Sequence, residues 1–101
     1  MARKVIWSFR AQNDRKQIFK YWNKRNLSNI YSKKLNSLFI EAVDLISTFP
    51  NIGKLTNDRS ARIKVVDNYL IIYEEINDLI FILTIWDSRQ NPNELLNVLK
   101  E

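Results

Sequence analysis

Two arginines and a lysine are the residues best suited by type to act on a phosphate. Arg62 and Lys64 stand two apart in the alternating run Arg62-Ile63-Lys64-Val65-Val66. That spacing puts both on one face of a strand. Paired cations of this kind could cradle a phosphate through charge-assisted hydrogen bonds. Ile63 and Val65 then face the other way, toward the helices. Plain alternation, polar outward and apolar inward, accounts for the same pattern. Arg89 lies in Trp86-Asp87-Ser88-Arg89-Gln90-Asn91-Pro92, just after a long apolar run. Asp87 could pair with it or orient it; an ordinary surface salt bridge is the plainer account. Lys16, Lys20 and Lys24 repeat at i, i+4, i+8. Like charges at this spacing cost about 0.2–0.5 kcal/mol per pair in a helix. They form either a solvated face or a surface awaiting an anionic partner. Tyr69, Tyr73 and Trp86 could stack on bases, but their apolar strand neighbours make them read as core.

The missing residue types narrow the chemistry. The chain has no histidine and no cysteine. The usual acid/base near neutral pH and the commonest metal ligand are therefore absent, as is a thiolate nucleophile. Zinc chemistry and a Ser-His-Asp triad are not expected, and neither a metal nor another cofactor is implied. Catalysis would fall to Lys, Arg, Tyr, Asp or Glu.

Charge is segregated along the chain. Residues 1–34 hold ten Lys/Arg and one acid, Asp14, whereas residues 61–101 hold four bases and seven acids. Such polarity gives a small protein a strong field on one side and favours an acidic partner. With 101 residues, 46% hydrophobic content and one glycine, the chain reads as one compact domain, 1–101. No apolar run approaches the roughly 20 residues of a membrane span. No secretory signal is visible, and a cytoplasmic location is expected.

The elements that must position these residues follow from period and punctuation. Val5-Ile6-Trp7 reads as a strand. Ser8 is a good N-cap for a helix over residues 9–24, with Ala11, Ile18 and Trp22 inward. Residues 23–28 form a short connection. Ser28 can cap a second helix whose stripe is Tyr31, Leu35, Leu38, Ala42, Leu45 and Phe49, widened by Phe39 and Ile46. Pro50 stops it. Residues 50–53 make a turn and residues 54–61 a polar loop. Strands follow over residues 62–66, 69–76 and 79–86, joined by the two-residue turns Asp67-Asn68 and Asn77-Asp78. The last of these is apolar on both parities as far as residue 83, as a central strand would be. Leu95, Leu96 and Leu99 suggest a short C-terminal helix that is covered by the sheet or by a partner. The predicted fold is α+β, in the order β-α-α-β-β-β. A helical hairpin packs on one face of a largely antiparallel four-stranded sheet.

The ordered set of local words resembles a known family. Ile6-Trp7-Ser8, Ile18-Phe19-Lys20-Tyr21-Trp22, Phe49-Pro50-Asn51-Ile52-Gly53, Arg62-Ile63-Lys64-Val65-Val66, Tyr69-Leu70-Ile71-Ile72-Tyr73 and Ile82 through Pro92 together resemble the RelE/ParE superfamily of type II toxin–antitoxin toxins. The resemblance covers nearly the whole chain. It implies a bacterial cytoplasmic toxin held in a hetero-oligomer by an acidic, partly disordered antitoxin. Lys16, Lys20, Lys24, Leu95, Leu96 and Leu99 are then the expected partner-binding residues.

The superfamily divides in mechanism. RelE-type members cut mRNA on the ribosome without a metal, using basic residues at the ribose 2′-hydroxyl and the phosphate. Under that resemblance Arg62, Lys64 and Arg89 would be catalytic. Leu70 stands where RelE has an arginine, Leu95 falls near its C-terminal tyrosine, and the histidine of other ribonuclease members is missing. ParE-type members have an apolar residue at the first of these positions and poison DNA gyrase by binding. The resemblance therefore leans toward a gyrase-binding growth inhibitor. A ribosome-dependent mRNA endonuclease and a non-toxic co-repressor or binding module are the alternatives.

Overall fold

The computed structural model describes residues 2–56, 60–90 and 94–95. Strand β1 (Lys4–Trp7) leads into helices α1 (Phe9–Asn26) and α2 (Ile30–Thr48). Strands β2 (Lys54–Leu55), β3 (Arg62–Val66), β4 (Tyr69–Ile76) and β5 (Leu79–Asp87) follow. They form one sheet in the order β1-β5-β4-β3-β2. β1 runs parallel to β5, and the other pairs are antiparallel. The α+β architecture expected from the sequence is present, with five strands in place of four. The extra strand lies in the stretch read as a loop. Two residues are too few to show a period, and only their pairing with Arg62 and Ile63 marks them as a strand.

Both predicted hairpin turns form. Asp67, Asn77 and Asp78 take positive φ of 56°, 51° and 65°, a region in which short polar side chains are tolerated. β5 lies between β1 and β4, so the longest apolar run is a central strand. The main core joins Leu35, Phe39 and Ile46 of α2 to Tyr69, Ile71, Tyr73, Ile80 and Ile82 of the sheet. Val5, Trp7, Ile18, Phe19 and Trp22 pack against it.

Helix α2 is rotated relative to the expected stripe. Its buried positions centre on Leu35, Phe39, Ala42, Val43 and Ile46, while Leu45 and Phe49 are exposed. The stripe Tyr31, Leu35, Leu38, Ala42, Leu45 and Phe49 follows one flank of the buried face, whose centre lies one residue on. The N-cap position is Asn29, not Ser28, although the Ser28 hydroxyl still accepts from the Ile30 N–H at 3.2 Å.

Helix α1 finishes the sheet as well as covering it. β1 ends at Trp7, opposite Ile82, which leaves the rest of β5 without a neighbouring strand on that side. Buried backbone groups there need partners. The Ser8 hydroxyl caps α1 by accepting from Ala11 N–H at 2.9 Å and donates to the Leu83 carbonyl at 2.8 Å. The Asp14 carboxylate accepts from the Thr84 hydroxyl and, at 3.3 Å, from Ile85 N–H. The register of β4 against β5 shifts at this point, between Ile72 and Tyr73. The one acid of the cationic N-terminal third is thus held by the sheet.

α1 ends on Leu27, whose φ of 52° and ψ of 35° are left-handed. A non-glycine side chain there costs about 1–2 kcal/mol. The Leu27 and Ser28 N–H groups both reach back to the Asn23 carbonyl, which closes the hairpin.

Candidate functional site

The parity of β3 decides where the basic pair points. Val66 belongs to the core beneath the helices, and Arg62, Lys64 and Val66 pair with Tyr73, Ile71 and Tyr69, which line the same core. Arg62 and Lys64 therefore lie on the helix-facing side of the sheet. Ile63 packs instead against the cluster of Ala61, Ile72, Trp86 and Leu95 on the other side. This reverses the expected orientation. Both cations are half-buried there, the Arg62 guanidinium being turned to backbone carbonyls before β2, and the far face is apolar.

Arg62 is also engaged. Its guanidinium donates to the Gly53 carbonyl at 2.9 Å and reaches the Asn51 carbonyl at 3.4 Å. It fastens the turn before β2 to β3. Arg62→Ala is expected to lower stability by about 1 kcal/mol through this contact, measured as a shift in the urea midpoint.

Arg89 is exposed and folded back on Asp87. Its Nε and Nη2 donate to the two carboxylate oxygens at 3.0 and 2.8 Å, and its backbone N–H donates to Oδ1 at 2.9 Å. These bonds hold the Asp87 carboxyl below the usual carboxylate range and raise the Arg89 guanidinium further. A depressed carboxyl pKa stabilises the fold above the ordinary value of about 4 and loses that contribution as pH falls through the folded value. The melting temperature should therefore drop with acidification below about pH 4. Asp87→Asn should flatten that part of the pH profile.

Arg62 and Lys64 thus stand together, two residues apart on one face of β3, and Arg89 stands apart from them. From strand rise and spacing, Arg62 lies roughly 17 Å from Asp87, where Arg89 is held. Leu70 packs against the far-face cluster, in which Leu95 is buried. The Trp86 indole N–H is buried beside them and has no hydrogen-bond partner among the described residues. Tyr69 and Tyr73 are core residues, as expected, and burial pushes both phenols up. Lys16, Lys20 and Lys24 are exposed on α1. Leu95 packs on the sheet face, while Leu96 and Leu99 lie outside the described residues.

An open cleft of about 460 Å³ lies between α1 and the end of β5, with Arg10, Gln17, Tyr21, Trp86 and Arg89 in its wall. Arg10 approaches Asp14 at 3.9 Å. Sequence reading missed this cleft because its residues come from two segments about 70 positions apart, joined by the Asp14–Thr84 hydrogen bond. Among the described residues, no group of three His, Cys, Asp or Glu could hold a metal. No described helix is long and apolar enough to cross a membrane.

The family model of the ParE toxin of type II toxin–antitoxin systems (parDE) matches residues 5–92. The chain belongs to the ParE toxin family. The matched span runs from β1 through the Arg89 turn, so both faces of the sheet and the helical hairpin lie within the family region. Among solved structures, a chain of a chromosomal ParDE toxin–antitoxin system from P. aeruginosa matches with a TM-score of 0.75 at 15% identity. The match covers 87% of this chain and 98% of that one. At that identity the likeness concerns the fold. No curated protein matches the sequence. Membership in the ParE family makes the chain a toxin of a type II system and implies a cognate antitoxin as its partner.

Proposed function

We propose that the chain inhibits growth by binding DNA gyrase, performs no chemistry of its own, and is held inactive in the cytoplasm by its antitoxin. The observation that carries this reading is the character of the sheet face opposite the helices. A metal-free ribonuclease needs several cations and a proton-transfer group converging on one phosphate. That face instead packs Ile63, Leu70, Ile72, Leu83, Trp86 and Leu95 into an apolar cluster that, among the described residues, holds no cation and no proton-transfer group. Arg62 and Lys64 share the opposite face with the core, and Arg62 is bonded to backbone carbonyls. Arg89 is chelated by Asp87. The distance of Arg89 from the β3 pair, and the engagement of Arg62 and Arg89 by other groups, support action by surface binding.

A supercoiling assay tests the proposal. Purified chain should block gyrase supercoiling or trap cleaved DNA, and addition of the antitoxin should restore activity. Absence of any effect at micromolar excess removes the reading. Toeprinting on programmed ribosomes serves as the counter-assay. Codon-positioned mRNA cleavage that depends on Arg62, Lys64 and Arg89 would establish the endonuclease alternative.

A further inference from the structure

The tip of the helical hairpin gathers three choices that each disfavour the free fold. Leu27 holds a left-handed backbone conformation, yet its side chain is 90% exposed and packs on nothing that would offset the strain. Glycine or asparagine would close the same turn at lower cost. Ile30, three residues on, opens α2 at 77% exposure. Lys33 and Lys34 stand near the positive end of the α2 dipole, and no acid occupies its first turn. Cations there work against the helix. Local rules broken without an internal gain mark surfaces that answer to something outside the chain.

The surroundings say what that something is. Residues 15–40 contain seven cations and no acid. Lys20, Lys24, Arg25, Lys33 and Lys34 are exposed, and among the described residues none of them forms an ion pair. A second copy of the chain would bring like charges together at this tip. Two aliphatic side chains gain free energy by entering an apolar pocket, and they have no ring face on which a base could stack.

We propose that the hairpin tip is a docking surface for an acidic protein segment, with Leu27 and Ile30 seated in an apolar pocket and Lys24, Arg25, Lys33 and Lys34 meeting carboxylates around its rim. The antitoxin is the partner of that chemistry, a choice that rests on the functional reading above.

Leu27→Gly separates docking from folding because it acts on the two in opposite directions. It relieves the backbone strain, so the melting temperature should hold or rise. It also removes the side chain that docks, so affinity for the purified antitoxin should fall about tenfold or more, and further in Leu27→Gly/Ile30→Ser. Titration calorimetry reads the affinity. Undiminished antitoxin affinity overturns the proposal. So does a loss of affinity that comes with a lower melting temperature, since the tip then acts through the fold. A tip dependence confined to a short DNA duplex, or to vesicles of phosphatidylcholine and phosphatidylglycerol, overturns it in favour of those ligands. The supercoiling assay runs alongside. A wild-type chain inactive on gyrase but tip-dependent for antitoxin removes the functional reading and leaves this inference standing. Gyrase inhibition with antitoxin binding indifferent to the tip removes the inference alone.

Discussion

Phe39→Ala should lower the free energy of unfolding by about 3–5 kcal/mol, in the upper range for truncation of a buried aromatic. Phe39 is fully buried. Its ring stacks on Phe19 of α1 at 6.1 Å and meets Tyr69 of β4 nearly edge-on at 5.7 Å. One side chain therefore ties both helices to the sheet. A domain of this size holds about 5–15 kcal/mol in all, so the variant stands near the threshold of folding. Urea denaturation should show a lower midpoint with an unchanged slope. Saturating antitoxin should restore part of the loss, because a ligand that binds only the native state stabilises it by mass action.

Tyr73→Phe should cost about 2–4 kcal/mol, although the ring itself is kept. The buried hydroxyl donates to the Pro50 carbonyl at 2.7 Å and accepts from the Gly53 N–H at 2.8 Å. Its removal strands two buried backbone groups, each worth about 1–3 kcal/mol when unsatisfied. Gly53 is required for the approach. A Cβ there would lie 2.7 Å from the Tyr73 hydroxyl, 2.8 Å from Cε1 and 3.0 Å from the Ile63 carbonyl. Gly53→Ala should therefore destabilise through the same contact. Combined with Tyr73→Phe it should cost less than the sum of the two, since residues in contact couple. A double-mutant cycle by chemical denaturation measures that coupling.

Much of this architecture is written in local patterns. The Ser8 cap, the two Asn/Asp turns and the apolar length of β5 each have a short-range cause, and each is present. The departures are long-range. The inner face of β3 is set by Val66 meeting Tyr69 under the helices, and a five-residue alternation is compatible with either parity. Arg62 and Lys64 therefore lie on the face opposite to the one that plain polar-outward alternation favours. The small β2 strand exists only because Ile63 and Arg62 offer it partners. Asp14 looks like a stray acid in a basic segment, and its work appears only once Thr84 and Ile85 are beside it. The exposed Leu27 gives no signal at all. Within Asn26-Leu27-Ser28 nothing marks the leucine, rather than the asparagine, as the left-handed residue.

The parallel pairing of β1 with β5 also bears on how the protein comes into being. Lys4 through Trp7 must wait for Leu79 through Ile82, and Ser8 waits for a carbonyl 75 residues downstream. Translation thus delivers the first strand long before its template exists. Chains released before Ile82 is made lack the strand on which their opening residues settle. The sheet closes at its β1 edge only after β5 has been synthesised.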